Sequence, residues 1–198
     1  MGLDFRYSSG QTPLDEDETD GLRLKNIATR GELDEVEQHN IEKAMLWLKT
    51  KKLKEDDLLS EKFIKDLHHH MYSDVWKWAG QFRKSNKNIG VDKLAISLTL
   101  KQLLDDSRYW ILNQSFPVEE IAIRFKHRVV QLHCFANGNG RHSRLIADTM
   151  MEKIFKLPPF TWGANTLSAQ ADLRSTYIKA LQKADAGDYK FLLHFAKS

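Results

Sequence analysis

The sequence of 198 residues contains one cysteine, Cys134, and lacks any long apolar segment. A single cysteine excludes an intramolecular disulfide framework and agrees with a reducing compartment. No apolar run approaches the roughly 18 residues that a membrane-spanning helix requires, and the N-terminus lacks the basic start and apolar core of a signal peptide. These absences predict a cytoplasmic protein with no membrane partner.

The sequence also lacks a strong excess of either charge, because its formal net charge is +3. Lysines alternate with acidic stretches, as at residues 51–57, which indicates a solvated surface, so we expect no nucleic-acid partner. A hydrophobic content of 41% and a charged content of 29% are ordinary for a soluble globular protein. A chain of this length fits one domain that buries roughly 70% of its unfolded surface.

The spacing of apolar residues changes along the chain. Residues 1–31 show no sustained periodicity and contain several glycines and an acidic run, which predicts an extended or partly ordered N-terminal arm. Residues 32–198 are predicted to form a single all-α domain. Helical periodicity marks residues 41–48, 63–71, 98–113, 118–133, 145–155, 173–184 and 188–195. Between the second and third of these, residues 80–92 are rich in glycine and asparagine, which predicts a small β-hairpin flap, with a plain connecting loop as an equal alternative on composition alone.

The most informative segment is residues 133–144, HCFANGNGRHSR, which follows a predicted core helix. The turn Gly138-Asn139-Gly140 leads into another helix, so consecutive backbone N–H groups would meet at a helix N-terminus, where anions are favoured. Glycine permits the positive φ that turns such amides into an anion-binding nest. The segment therefore predicts a phosphate site.

Two arginines and one histidine flank this turn. Arg141 and Arg144 lie three residues apart in the first turn of the following helix, where each cation is disfavoured by about 0.3–1 kcal/mol unless an anion binds between them. Guanidinium groups suit phosphate oxygens. His133 closes the preceding helix, whose dipole favours the charged ring by less than one pKa unit, so a neutral ring stays accessible near pH 7. We therefore expect His133 to act as a general base for a hydroxyl nucleophile.

The segment resembles the Fic signature HxFx(D/E)GNGRxxR. It matches at His133, Phe135, Gly138, Asn139, Gly140, Arg141 and Arg144. Residues 67–72 with 78–83 are similar to the family's helix leading into its flap, and residues 174–188 to its closing helices. With Thr12–Asp15 and Thr29–Leu33 included, the whole chain resembles the bacterial Fic proteins called mobile mystery protein B.

This resemblance implies a Fic-type helical bundle that transfers AMP from MgATP to a Tyr, Thr or Ser hydroxyl of a target protein and releases pyrophosphate. His133 would be the base. The α- and β-phosphates would be held by Gly138, Asn139, Gly140 and Arg141. The β- or γ-phosphate would be held by Arg144, and the adenine would lie near Tyr177 and Asp185. A flap of Lys87, Asn88, Ile89, Gly90 and Val91 would align the target backbone by strand-like pairing.

Two positions depart from the family pattern. Asn137 stands where the family's acidic residue binds Mg²⁺, and an uncharged amide predicts weaker metal affinity, with activity at raised Mg²⁺ or with Mn²⁺. Glu32 is the nearest candidate for the family's inhibitory glutamate, but its surroundings miss the [ST]xxxE[GN] pattern, so we favour a role at the helix start. Regulation by a separate antitoxin-like protein is equally compatible, and self-AMPylation is a further expectation.

Two alternative functions remain open. The first is phosphate transfer in the manner of the Doc toxins, whose motif has lysine where this chain has Gly140; the glycine favours AMP transfer. The second is a nucleotide-binding regulatory module without turnover, which Asn137 keeps open. His68, His69 and His70 are adjacent on a predicted helix and cannot all face one ion, so surface and capping roles are favoured over a metal site.

Overall fold

A computed structural model describes residues 13–164 and 170–198. Residues 1–12 of the predicted arm lie outside the described residues. They include Thr12, the first residue of the Thr12–Asp15 segment that resembles the family. The described chain is helical, as predicted. Its helices are α1 (Glu16–Thr19), α2 (Arg30–Thr50), α3 (Glu55–Leu58), α4 (Glu61–Tyr72), α5 (Ile96–Leu112), α6 (Val118–Leu132), α7 (Asn139–Met150), α8 (Gln170–Asp185) and α9 (Lys190–Lys197), with a 3-10 turn at Lys93–Ala95 and a π-helical stretch at Met151–Phe155.

Side chains at the helix starts fix where several helices begin. At α2 the Thr29 hydroxyl accepts the Glu32 N–H, and the Glu32 carboxylate accepts the N–H groups of Ala28 and Thr29, which forms a capping box. At α9 the Asp188 carboxylate accepts the N–H of Lys190. This bond satisfies the first backbone N–H of α9, which begins at Lys190.

Helix α6 occupies the centre of the bundle. It packs against α5 on one side and α7 on the other, α4 joins α7 to α2, and α8 packs on α9. The predicted stripe of α6 is buried, with Phe125 and Ile121 at most 1% exposed. This packing brings the C-terminus of α6 and the N-terminus of α7 together in the interior. No described helix is both long and apolar enough to cross a membrane.

The described part of the N-terminal arm is ordered and lies along residues 75–77. The N–H of Arg23 donates to the Val75 carbonyl and the N–H of Lys77 to the Gly21 carbonyl, both at 2.8 Å. These two hydrogen bonds flank a single antiparallel bridge between Leu22 and Trp76. The arm is thus tied to the segment that follows α4 and leads into the flap.

The predicted β-hairpin flap is not confirmed, because residues 81–92 form bends and no strand. The Arg83 side chain takes the place of a strand ladder. Its guanidinium group donates to the backbone carbonyls of Ser85 and Val91 from within the loop. The backbone N–H groups of Arg83 and Val91 donate outward, to the carbonyls of Cys134 and Leu132. These two backbone N–H groups therefore connect the flap to the end of α6, whereas the Arg83 side chain connects the flap to itself.

Candidate active site

The sequence predicts positive φ at the glycines of the turn between α6 and α7, and the structure has it at one of the two. His133 ends α6 in the left-handed region, with φ 54° and ψ 57°, and Gly138 precedes α7 with φ 77°. A methyl group at Gly138 would lie 2.5 Å from the Tyr72 ring, so glycine is required there. Gly140 lies inside α7 without a positive φ, and a methyl group there would meet no atom within 4 Å. Open space therefore adjoins the first turn of α7.

Asn139 closes the loop on itself. Its side-chain oxygen accepts the Phe135 N–H at 3.0 Å, and its side-chain nitrogen donates to the Phe135 carbonyl at 2.8 Å. Asn139 is 4% exposed, so both hydrogen bonds are shielded from water. Asn139 thereby acts as a clamp on the loop, a role that its predicted phosphate contact did not include.

His68 supports the same loop from α4, which corrects the surface or capping role expected for it. The residue is fully buried and its ring stacks on Phe135 at 3.7 Å. Its Nδ1 accepts the Gly80 N–H at 3.0 Å, so the proton lies on Nε2 and is donated to the Asn137 carbonyl at 3.0 Å. Burial lowers the pKa of His68 well below its ordinary value, and the ring is neutral.

The His133 side chain is 6% exposed, and neither ring nitrogen has a hydrogen-bond partner among the described residues. Burial lowers the pKa of His133 to about 4, with a further contribution from the positive charges of Arg83 and Lys87. The Val130 carbonyl opposes this shift without forming a hydrogen bond of normal geometry. The helix dipole alone favours the charged ring, as the sequence predicts, but burial dominates. His133 is neutral near pH 7.

The flap borders this histidine directly. The Arg83 Nε donates to the His133 carbonyl at 2.7 Å, and a methyl group at Gly90 would lie 2.6 Å from Cβ of His133. Asn88 and Ile89 are exposed at the outer edge of the flap. The structure therefore brings the predicted docking residues beside the predicted base, on a loop without strands.

Lys87 is held by the N-terminal arm. Its ammonium group pairs with the carboxylates of Asp15, at 2.8 Å, and Glu18, and its side chain is only 3% exposed. The Ser85 hydroxyl also donates to Asp15. The side chain of Lys87, one of the predicted flap residues, therefore points toward the arm.

The two motif arginines have different surroundings. Arg141 pairs with Glu37 of α2 at 2.5 Å, and Glu37, fully buried, also accepts the Trp76 indole N–H at 2.7 Å. Arg144 forms no ion pair with any described residue, and its guanidinium carbon lies 5.6 Å from the centre of the Tyr177 ring. Arg144 is therefore a cation without a direct ion pair in the described part of the chain, although its charge acts on the carboxylate of Asp148, one turn further along α7.

Of the two residues expected near the adenine, only Tyr177 lies beside a motif arginine. Its hydroxyl accepts a hydrogen bond from the buried Lys126, whose pKa is lowered by burial and by the charge of Arg144. Asp185, further along α8, instead bonds His127 of α6 at 2.9 Å. The expected place of Tyr177 and Asp185 near the adenine stays a prediction.

Part of the chain is similar to known proteins. The model of the Fic/DOC family matches residues 58–151. These residues form a domain similar to the Fic/DOC family. The curated protein adenylyltransferase Fic of Aedes aegypti is 26% identical over 169 residues, which cover 81% of this chain and 32% of the relative. The chain thus spans about a third of that relative's length.

Solved structures share the fold of the Fic/DOC domain at low sequence identity. Fic-1 (residues 134–508) from C. elegans is 21% identical, with a TM-score of 0.64 over 90% of this chain and 50% of that one. The BepC protein of Bartonella tribocorum, determined with bound AMPPNP, is 14% identical, with a TM-score of 0.66 over 92% of this chain and 97% of that one.

The two departures from the Fic pattern have defined surroundings. The Asn137 side-chain oxygen accepts the N–H of Gly138 at 2.6 Å. Glu32 is exposed and bonded in the capping box of α2, as expected for a helix-start acid, whereas the carboxylate that meets a motif arginine belongs to Glu37.

Glu37, the partner of Arg141, was not predicted as a site residue. The apolar pattern of α2 nevertheless indicates that Glu37 is unusual. Leu33, Ile41 and Ala44 form the apolar stripe of α2, and Glu37 lies within that stripe at helical spacing. A charged residue on a buried face requires a partner of opposite charge. His68 gives the same signal, since it lies between Leu67 and Met71 on the buried face of α4.

Proposed function

We propose that this Fic/DOC domain transfers AMP from ATP to a hydroxyl group of a target protein. The observation that carries the proposal is His133, a buried and neutral imidazole at the edge of a helix N-terminus bearing Arg141 and Arg144, whose two nitrogens lack partners among the described residues. The name of the Aedes aegypti relative and the nucleotide analogue in the BepC structure support the same chemistry.

In the proposed reaction His133 accepts the proton of the target hydroxyl. The hydroxyl oxygen forms a bond to the α-phosphorus as the bond from that phosphorus to the bridging oxygen breaks, and pyrophosphate leaves. A ring whose pKa lies near 4 is deprotonated at neutral pH and free to accept a proton. Because the loop around His133 is fixed by buried hydrogen bonds, positioning supplies much of the proposed catalysis.

The phosphate side of the proposal rests on charge. The N-terminal amides of α7 and the unpaired Arg144 would stabilise the leaving pyrophosphate, whose negative charge grows in the transition state. Arg141 bonds Glu37 through Nη2, and a guanidinium group has further N–H donors for phosphate. Open space beside Gly140 supports the AMP-transferring orientation over the Doc-like one, since a lysine there would fill it.

The described residues do not fit a resident metal ion. The Asn137 oxygen is neutral and already bonded to Gly138, and no group of three or more His, Cys, Asp or Glu within the described residues could hold a metal. We infer that magnesium enters with ATP, held mainly by phosphate oxygens. We expect Asn137→Asp to lower the Mg²⁺ concentration required for half-maximal transfer, and an unchanged metal dependence would contradict this inference.

The proposed partner is a protein whose hydroxyl-bearing segment lies along the flap, at Asn88, Ile89 and Gly90. The amino acid accepting AMP, whether Tyr, Thr or Ser, is left to experiment, and the protein itself is a candidate target. An antitoxin-like regulator that acts on Arg141 or Arg144 remains a second proposed partner.

The proposal is tested with ATP labelled at either the α- or the γ-phosphate. The wild-type protein and a His133→Ala variant are each incubated with labelled ATP and cell lysate, and protein-bound label is measured. We expect label from the α-position alone, and its loss in His133→Ala. Label from the γ-position alone would replace the proposal with phosphate transfer. No label from either position, with ATP bound, would make the domain a nucleotide-binding module.

A further inference from the structure

Tyr72, the last residue of α4, places its hydroxyl against the phosphate-binding turn. The residue is 1% exposed, and a methyl group at Gly138 would lie 2.6 Å from its Oη. The guanidinium carbon of Arg141 lies 5.3 Å from the centre of the Tyr72 ring. His68, one helical turn earlier in α4, also contacts this ring, at 4.8 Å between ring centres. The hydroxyl is thus directed at the residues expected to hold phosphate.

This hydroxyl has no hydrogen-bond partner among the described residues. A buried hydroxyl without a partner is unfavourable, and a phenylalanine would fill the same space without that cost. Packing alone therefore does not account for the oxygen atom. An acceptor that arrives with a ligand would account for it.

The charges around Tyr72 specify what kind of acceptor that is. Burial raises the pKa of Tyr72 above its ordinary value, against the opposing effect of Arg141, so the phenol keeps its proton and acts as a donor. Arg144 and Arg30 also act on it electrostatically, and guanidinium groups cannot accept hydrogen bonds. The Glu37 carboxylate, which also acts on Tyr72 electrostatically, is bonded to Arg141. A proton donor surrounded by cations matches an anionic oxygen.

We propose that Tyr72 donates a hydrogen bond to a phosphate oxygen of the ligand held at Gly138 and Arg141. Tyr72 then belongs to the phosphate-binding site although it lies outside the motif, on a different helix. The inference rests on the proposed function for the identity of the ligand as a nucleotide, but its chemistry requires only a phosphate or pyrophosphate group.

The test is a Tyr72→Phe variant, which removes one oxygen atom and keeps the ring. Titration calorimetry measures the dissociation constants for ATP, pyrophosphate and adenosine. A hydrogen bond to a charged acceptor predicts that ATP and pyrophosphate bind about tenfold more weakly to the variant, whereas adenosine binds equally well. The Tm of the variant without ligand should equal or exceed that of the wild type, because an unpaired hydroxyl has been removed.

Tyr109→Phe is the matched control, since Tyr109 is 62% exposed on α5 and its loss should change none of these values. Unchanged affinity of Tyr72→Phe for both ATP and pyrophosphate would overturn the inference. An equal loss of affinity for adenosine would also overturn the inference, and so would a lower Tm. Either result would give the hydroxyl a role other than phosphate binding. If pyrophosphate binding depends on Tyr72 but no AMP is transferred, the inference stands and the proposed function fails. If the wild type binds neither ligand, both fail.

Discussion

Two segments border His133, and they are held in different ways. The loop of residues 133–139 is fixed by buried side chains that bond its backbone, namely Asn139 and His68. The flap of residues 81–92 has no strand, and it is held by the buried Arg83, by backbone hydrogen bonds to Leu132 and Cys134, and by ion pairs with the arm. The side of the site expected to carry the chemistry is therefore held by buried hydrogen bonds, whereas the side expected to meet the target depends in part on an ion pair with the half-exposed Asp15.

The largest expected effect comes from removing the clamp at Asn139. In Asn139→Ala both the N–H and the carbonyl of buried Phe135 lose their partners, which should lower the free energy of unfolding by about 3 kcal/mol. AMP transfer should fall with it, because the loop no longer positions His133. Urea denaturation and α-label transfer measure the two effects.

Asn139→Asp is the graded control for that clamp. An aspartate can accept from the Phe135 N–H, but its second oxygen can donate to the Phe135 carbonyl only when it is protonated, so the loss of stability relative to the wild type should shrink as the pH falls. If both variants unfold within about 0.5 kcal/mol of the wild type, the loop is not held by this residue.

A smaller effect is expected at His68. His68→Phe keeps a ring of similar shape against Phe135 but leaves the Asn137 carbonyl and the Gly80 N–H without their partner. Asn137 is only partly buried, so water can replace one bond, and we expect a loss of about 2 kcal/mol in unfolding free energy. His39→Phe, on the exposed face of α2, should change little in the same urea denaturation experiment. Equal stabilities of the two variants would remove His68 from the loop's support.

The local part of this site was predictable from sequence. The periodicity of α6, the glycine turn and the arginine pair are all encoded within one segment, and the structure has the positive φ expected at Gly138. The all-α fold followed from apolar spacing in the same way. The described part of the arm proved more ordered than its composition indicated.

What could not be predicted depends on distant partners. Apolar spacing identifies a buried face but not the residue opposite, so the pairing of Glu37 with Arg141 remained hidden. The flap composition favours a hairpin, but it cannot show that the Arg83 side chain would bond the carbonyls that a strand would use. The direction of the His133 pKa shift likewise depends on burial, which local sequence does not fix.

The smallest effect is expected at the arm. Asp15→Asn with Glu18→Gln removes the charges that hold Lys87 and should speed amide hydrogen exchange across residues 84–91. The unfolding free energy should change less than in His68→Phe, because the introduced amides still accept hydrogen bonds from Lys87, although the Glu18 and Lys87 side chains are only 12% and 3% exposed. Glu16→Gln, exposed on the same short helix, should leave exchange unchanged. Identical exchange in the double variant and this control would show that the arm does not restrain the flap.

The neutral state of His133 is the central claim, and an NMR titration of its ring tests it most directly. With assignment by loss of the signal in His133→Ala, we predict a pKa of about 4, well below the ordinary 6.5. The same shift means that the stability contributed by the neutral ring is present above pH 6.5 and is lost as the pH falls toward 4. A measured pKa of about 6.5 or higher would contradict the account, because a substantial fraction of the rings would then be charged at neutral pH and unable to accept the target's proton.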